Sequence, residues 1–126
     1  MCCLKPGKKG LSENISVKSI VGNFLEHSRV YYFHNAGDPL VYGGSADVMV
    51  RSLDRRIESL FKITDPFLKQ EAINILHYNL LDNVNSYYLK EDSNYEKVAT
   101  TTEEHFNIHE KFYTVTADDV MKAHLF

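Results

Sequence analysis

The sequence predicts an α/β fold of the α+β kind, a mixed β-sheet flanked by helices. Three observations point there. Residues 30–33 and 40–42 are short β-branched and aromatic runs around the turn-dense Asn35-Ala36-Gly37-Asp38-Pro39, which reads as a hairpin. Residues 55–63 alternate with period two: Ile57, Ser59, Phe61 and Ile63 share one face, and Arg56, Glu58, Leu60 and Lys62 share the other. Asp65-Pro66 then supplies a helix cap followed by proline at the first helical position.

Before the hairpin, Cys2, Cys3 and Leu4 form an apolar run stopped by Pro6 and Gly7, the end of a buried strand. A strand at residue 1 lacks an upstream element to pair with, so the chain is expected to be a piece of something longer. Residues 5–10 hold two glycines and three lysines. They fit a solvated turn or a phosphate-gripping loop, without a Walker pattern. Ser16 is placed to cap a helix, with Val17, Ile20, Val21, Phe24 and Leu25 on one face and an end near Glu26. His27 would then sit at a helix C-terminus, which favours imidazolium.

After Pro66 the positions Leu68, Ala72, Ile75, Leu76 and Leu80 continue helically to about residue 85, with His77 as a packing or surface residue. Beyond Tyr88 the signal weakens. Residues 91–94 read as a turn, 95–99 as a short strand, 100–104 as polar loop and 106–112 as helical. Thr116 to Asp119 reads as the cap of a last turn ending at Phe126. His105, His109 and His124 in this tail are not read as ligands.

A chain of 126 residues is one domain by length and can bury a core. Its net charge of -3 argues against general nucleic-acid binding. There is no apolar run long enough for a membrane span, and the N-terminus turns polar too early for a signal peptide. Adjacent Cys2 and Cys3 read as reduced thiols, which places the protein in the cytoplasm. No Cys-x-x-Cys occurs, and no metal site is expected in this chain.

The chemistry concentrates between His27 and Glu58. That stretch holds His27-Ser28-Arg29, the turn Gly43-Gly44-Ser45, and Arg51, Arg55 and Arg56. Phosphoryl chemistry needs such a nitrogen base or acid, hydroxyl and amide donors, and fixed positive charge. The glycines let the backbone approach something closely, or mark a β-bulge or strand end. Arg56 and Glu58, two residues apart, point the same way, into a site or as an ion pair in solvent.

At His27-Ser28-Arg29 and Gly44-Ser45-Ala46-Asp47 the sequence resembles the phospholipase D-like superfamily, which uses a His-x-Lys pair followed by a Gly-Ser turn. Arg29 stands at the Lys position, His34 at that of an acidic residue and Val48 at that of an Asn. One branch fits more closely. Ser19-Ile20-Val21-Gly22, Phe24-Leu25-Glu26-His27-Ser28-Arg29-Val30-Tyr31, Tyr42-Gly43-Gly44-Ser45-Ala46-Asp47 and Leu53-Asp54-Arg55-Arg56-Ile57-Glu58 are similar, in order, to the C-terminal domain of bacterial polyphosphate kinase. Cys2-Cys3-Leu4-Lys5-Pro6-Gly7, Leu11-Ser12-Glu13-Asn14-Ile15, Asp65-Pro66, Leu68-Lys69-Gln70 and Asp82-Asn83-Val84 extend the likeness over residues 2–98.

The resemblance implies half of a phospholipase D-like fold in residues 1–99, incomplete at its N-terminal side, with residues 100–126 a divergent tail. It implies an enzyme that moves the terminal phosphate of ATP reversibly onto polyphosphate through a phosphohistidine, with Mg²⁺. The phosphohistidine and the metal site are expected outside this chain. His27 matches the second-half histidine, a general acid/base or electrostatic partner. His27, Arg29, Ser45, Arg56 and Glu58 are the implied ATP and phosphate contacts. Implied partners are ATP, ADP, polyphosphate and the N-terminal part of the enzyme, and a homo-oligomer is compatible. Two other readings stay open: a phospholipase D-type phosphodiesterase with one His motif per chain of a dimer, and a non-catalytic ATP- or polyphosphate-binding module.

Overall fold

The computed structural model describes residues 4–99 and 105–122. In chain order the elements are β1 (Lys18–Ile20), β2 (Arg29–Phe33), β3 (Leu40–Gly44), α1 (Val50–Arg55), β4 (Leu60–Lys62), α2 (Pro66–Leu81), β5 (Ser86–Leu89), β6 (Tyr95–Lys97), α3 (Ile108–Thr114) and α4 (Ala117–Lys122). They fall into two compact units, Met1–Phe24 with Tyr78–Thr114 and Leu25–His77 with Val115–Phe126. The α/β class holds. Where one mixed sheet is expected, the described strands form two three-stranded sheets, one in each unit, and all their pairings are antiparallel.

The second unit carries the expected hairpin. Its sheet order is β2-β3-β4, with Arg29 opposite Gly44, Phe33 opposite Leu40, and Gly44 opposite Leu60. A short 3-10 turn at Asn35–Gly37 joins β2 to β3, and Asn35, Ala36 and Gly37 all have positive φ there. Val41 packs with Ala72 and Ile73 of α2, and Val30, Tyr32 and Ile63 close around them. Burying an aliphatic side chain such as Val41 or Ile73 stabilises the fold by roughly 1.5–3 kcal/mol. Alternation sends Tyr31, Phe33, Leu40, Tyr42 and Leu60 to the other face of the sheet. There they line an open apolar cavity of about 620 Å³ with Ala46, Asp47, Val48 and Leu53.

Helix α2 starts where Asp65-Pro66 places it. Asp65 Oδ1 accepts hydrogen bonds from the amides of Phe67 (2.9 Å) and Leu68 (3.0 Å). Asp65→Ala is expected to cost about 1 kcal/mol, read as a lower melting temperature, and Asp65→Ser to recover most of it.

The first unit corrects one element. Residues 16–26 do not form a helix: 18–20 are strand β1, paired with β5 through Lys18–Tyr88 and Ile20–Ser86. Val17, Ile20 and Val21 are β-branched and suit a pleated edge, and the apparent helical spacing is too short to outweigh that pairing. Gly22 then ends the run, and a Cβ there would lie 2.2 Å from the His109 imidazole. His27 is therefore in irregular backbone, and the helix-terminus argument for its charge falls.

Residues 55–63 are corrected in part. Arg55 closes α1, Arg56 is extended at φ −131° and ψ 154°, and the strand itself is Leu60–Lys62. Helix α2 ends at Leu81, short of the expected 85. Strand β5 falls where the sequence signal faded, and β6 and α3 lie near their expected positions. Thr116 caps α4 as expected: its hydroxyl donates to Asp119 Oδ2 (2.7 Å), and the Asp119 amide returns a bond to that hydroxyl (3.3 Å). Leu4 is exposed and outside any strand. Cys2 and Cys3, the 100–104 loop and His124 lie outside the described residues. Among those described, no helix is long and apolar enough to cross a membrane.

Asp82 organises the first unit. Its side chain accepts from Asn85 N (2.8 Å), Ser86 Oγ (2.8 Å) and Ile108 N (3.0 Å), tying the end of α2 to β5 and α3. The Lys18 ammonium donates to the carbonyls of Leu80 (2.5 Å) and Asp82 (2.6 Å), orphan acceptors at the helix C-terminus. Burial pushes the Asp82 carboxyl pKa up, but its hydrogen bonds and the Lys18 charge outweigh that and hold it below the ordinary value.

Candidate functional site

An antiparallel meander brings alternate strand ends together. Here the start of β2, the end of β3 and the start of β4 are neighbours, because Arg29 faces Gly44 and Gly44 faces Leu60. The segments leading into or out of them carry His27, Ser45 to Asp47, and Arg56 to Ser59. The five residues expected to contact phosphate thus gather at one end of one sheet.

The β3–β4 ladder continues one bond past Gly44, from Ser45 N to Ser59 O at 3.0 Å. The Ser45 hydroxyl then takes over: it accepts from Ser59 N (3.1 Å) and donates to Glu58 Oε2 (2.5 Å). Glu58 Oε1 faces Arg56 Nε at 3.7 Å. Gly44 permits this closure, since a Cβ on it would lie 2.5 Å from the Ser59 carbonyl oxygen. Gly44 thus both ends β3 and admits the close approach of the neighbouring backbone.

Arg29 is more engaged than its place in a His-x-Arg pair implies. Its Nε donates to Asp47 Oδ1 at 2.9 Å and its Nη2 to Asp47 Oδ2 at 3.4 Å, a fork. Its Nη1 donates to the carbonyl of His27. The hydrogen bond from Arg29 lowers the Asp47 carboxyl pKa, and the charges of Arg29, Arg51 and Arg56 add to it. The same bond raises Arg29 further. Tyr31 Oη donates to the Ala46 carbonyl and fixes the adjoining turn.

The His27 ring is exposed and has no side-chain partner among the described residues. The Arg56 side chain is 55% exposed, whereas Glu58 is only 13% exposed. Arg56, Arg51, His27 and Ser45 are exposed, and Glu58, bonded to Ser45, is half-buried beside Arg56. Asp47 is the participant that sequence reasoning passed over. It ends the Gly-Ser-Ala-Asp turn, and a carboxylate amid arginines is the signal that marks it. Among the described residues no three His, Cys, Asp or Glu side chains come together as metal ligands. The Lys5–Gly10 loop lies in the other unit, closed on the buried Ser12, whose hydroxyl donates to Lys5 O (2.5 Å) and accepts from Lys8 N (3.0 Å).

A hairpin-built α/β unit with arginines, a histidine and a serine gathered at one sheet end has the makings of an anion site. Comparison with known proteins narrows the class. The family model described as "Polyphosphate kinase C-terminal domain 2" matches residues 1–109. Polyphosphate kinase 1 of Chlorobaculum tepidum is 51% identical over 98 residues, which is 78% of this chain and 14% of that protein. A polyphosphate kinase of Synechocystis sp. is 42% identical over 117 residues, 93% of this chain and 16% of that protein. A crystal structure of polyphosphate kinase from Porphyromonas gingivalis matches with a TM-score of 0.84 at 36% identity, over 90% of this chain and 17% of that one. The chain belongs to the polyphosphate kinase C-terminal domain 2 family. It spans 14% to 16% of the length of these two curated relatives.

Proposed function

We propose that this chain supplies the nucleotide-phosphate wall of an ATP:polyphosphate phosphotransferase. The terminal phosphate of ATP would pass reversibly to polyphosphate through a phosphohistidine outside residues 1–126, in the cytoplasm, with the N-terminal part of the enzyme as partner. The observation that supports this best is the gathering of His27, Ser45 and Arg56 at one sheet end in a chain of this family.

Phosphoryl transfer asks mainly for positioning and for positive charge against the transferring oxygens. Arg56, exposed and 3.7 Å from Glu58 Oε1, is the cation best placed to meet them. His27 serves as general acid/base or electrostatic partner beside the phosphates. The Ser45 hydroxyl is a donor that can turn from Glu58 to a phosphate oxygen. Glu58, being anionic, contributes by holding Ser45 and by its charge beside Arg56 rather than by touching phosphate itself. Arg29 keeps N–H groups beyond those given to Asp47 and His27. Mg²⁺ neutralises phosphate charge in such reactions; its site is expected outside residues 1–126, and among the described residues no three His, Cys, Asp or Glu side chains come together as ligands.

The test is the 126-residue chain with γ-labelled ATP. Binding followed by a fluorescent ATP analogue should weaken as salt rises. Arg56→Ala should weaken it about tenfold, the loss of one charge-assisted contact. No acid-labile label should accumulate, because the attacking histidine lies elsewhere. Label on His27, or affinity indifferent to Arg56→Ala, would overturn the reading.

A further inference from the structure

The proposed phosphate contacts leave Asp47 without a task, although it makes the most complete ion pair of the cluster. Its carboxylate meets the Arg29 guanidinium edge-on through two N–H groups, at 2.9 and 3.4 Å. Two parallel bonds fix the plane and rotation of a guanidinium, which a single contact does not. The remaining nitrogen of that plane, Nη1, donates to the carbonyl of His27. Asp47 itself is held from behind, since the neighbouring Ala46 carbonyl accepts the Tyr31 hydroxyl from β2. The segment 25–28 has no secondary structure and is exposed. Beyond the Ser28 hydroxyl, which reaches Glu26 Oε2 at 3.4 Å, the bond from Arg29 is its hydrogen-bonded tie among the described residues.

We propose that Asp47 is a positioning residue for His27, acting through Arg29: the carboxylate orients the guanidinium, and the guanidinium fixes the His27 backbone at the mouth of the site. Arg29 is then chiefly a strut, and Arg56 carries the electrostatic task toward phosphate. A lysine at position 29 could not do this, because an ammonium has no plane to transmit. That gives a physical reason for arginine here. The proposal rests on the phosphate-site reading for its consequence in binding, while its geometry stands apart from any ligand.

Nuclear magnetic resonance of the full chain tests both parts separately. In Asp47→Asn the His27 imidazole signals should shift, and amide exchange at residues 27–29 should rise about tenfold or more. Signals of Val41, Ala72 and Ile73 should stay in place, which shows that the sheet remains folded. Arg29→Lys, which keeps the charge and loses the fork, should move His27 in the same way. Asp47→Glu, which keeps the carboxylate, should return part of the native signal. His27 signals unchanged in Asp47→Asn, or in Arg29→Lys should the first variant not fold, overturn the proposal. A native chain that binds no ATP analogue, yet whose His27 responds as described, would sink the phosphate-site reading and leave the positioning role standing.

Discussion

Replacing Asp82 by alanine is expected to destabilise the unit of residues 1–24 and 78–114 by roughly 3–5 kcal/mol, among the largest effects a single substitution produces. The carboxylate is fully buried and accepts from Asn85 N, Ser86 Oγ and Ile108 N. Ser86 and Ile108 are buried too, so the donors left behind could not turn to water. Lys18, half-buried beside it, would lose its counter-charge. Asp82→Asn should cost less. Its amide oxygen can keep the Asn85 and Ser86 bonds, but its NH₂ would confront the Ile108 amide, donor against donor. Denaturant unfolding and amide protection at Asn85 and Ile108 measure both variants.

The same group sets an acid limit. Its folded pKa lies below the ordinary value of 3.8. The stabilisation it gives is therefore complete above the ordinary carboxylate range and is lost as pH falls through the depressed folded value. Unfolding of the native chain should steepen below about pH 4, and Asp82→Asn should flatten that part of the curve.

Gly44→Val is expected to cost roughly 3 kcal/mol and to abolish nucleotide binding in whatever remains folded. A Cβ at position 44 would stand 2.5 Å from the Ser59 backbone oxygen, and backbone cannot swing aside. Relief requires β3 and β4 to part where Ser45 bonds to Ser59 and Glu58. Gly43→Ala makes the control. Its Cβ would meet the Phe61 ring at 2.7 Å, but that ring is 59% exposed and free to rotate away, so the cost should be about 1 kcal/mol. Thermal melts of the two variants should separate clearly; equal melting temperatures would show that the close approach of Gly44 to Ser59 does not constrain the two strands.

Some elements were legible because local chemistry alone dictates them. The Asp65-Pro66 start of α2 needs an acceptor side chain and a fixed φ, both written into two residues. The hairpin around Asn35 to Pro39 needs turn residues between β-branched runs. The Thr116 to Asp119 cap is a local reciprocal bond. Elements that depend on a distant partner were not legible. The chain near Lys18 becomes a strand because Tyr88 and Ser86 are there to bond it, almost 70 residues away. Its apolar spacing suits a helix equally well. Strand β5 is illegible in the sequence for the converse reason: Ser86-Tyr87-Tyr88-Leu89 is short and half-buried, and its identity comes from β1 and β6 on either side.

The site divides along the same line. The sequence by itself determined which residue types are at hand and in what order: His27, Arg29, the Gly-Ser turn, Arg56 and Glu58, in the pattern of the polyphosphate kinase C-terminal domain. Only the tertiary structure decided who partners whom. Register across β2, β3 and β4 brings positions 29, 44 and 60 side by side, and from that follow the Arg29 fork on Asp47 and the Ser45 bond to Glu58. A bond between residues 18 positions apart in sequence depends on strand pairing in space, and no local propensity encodes it.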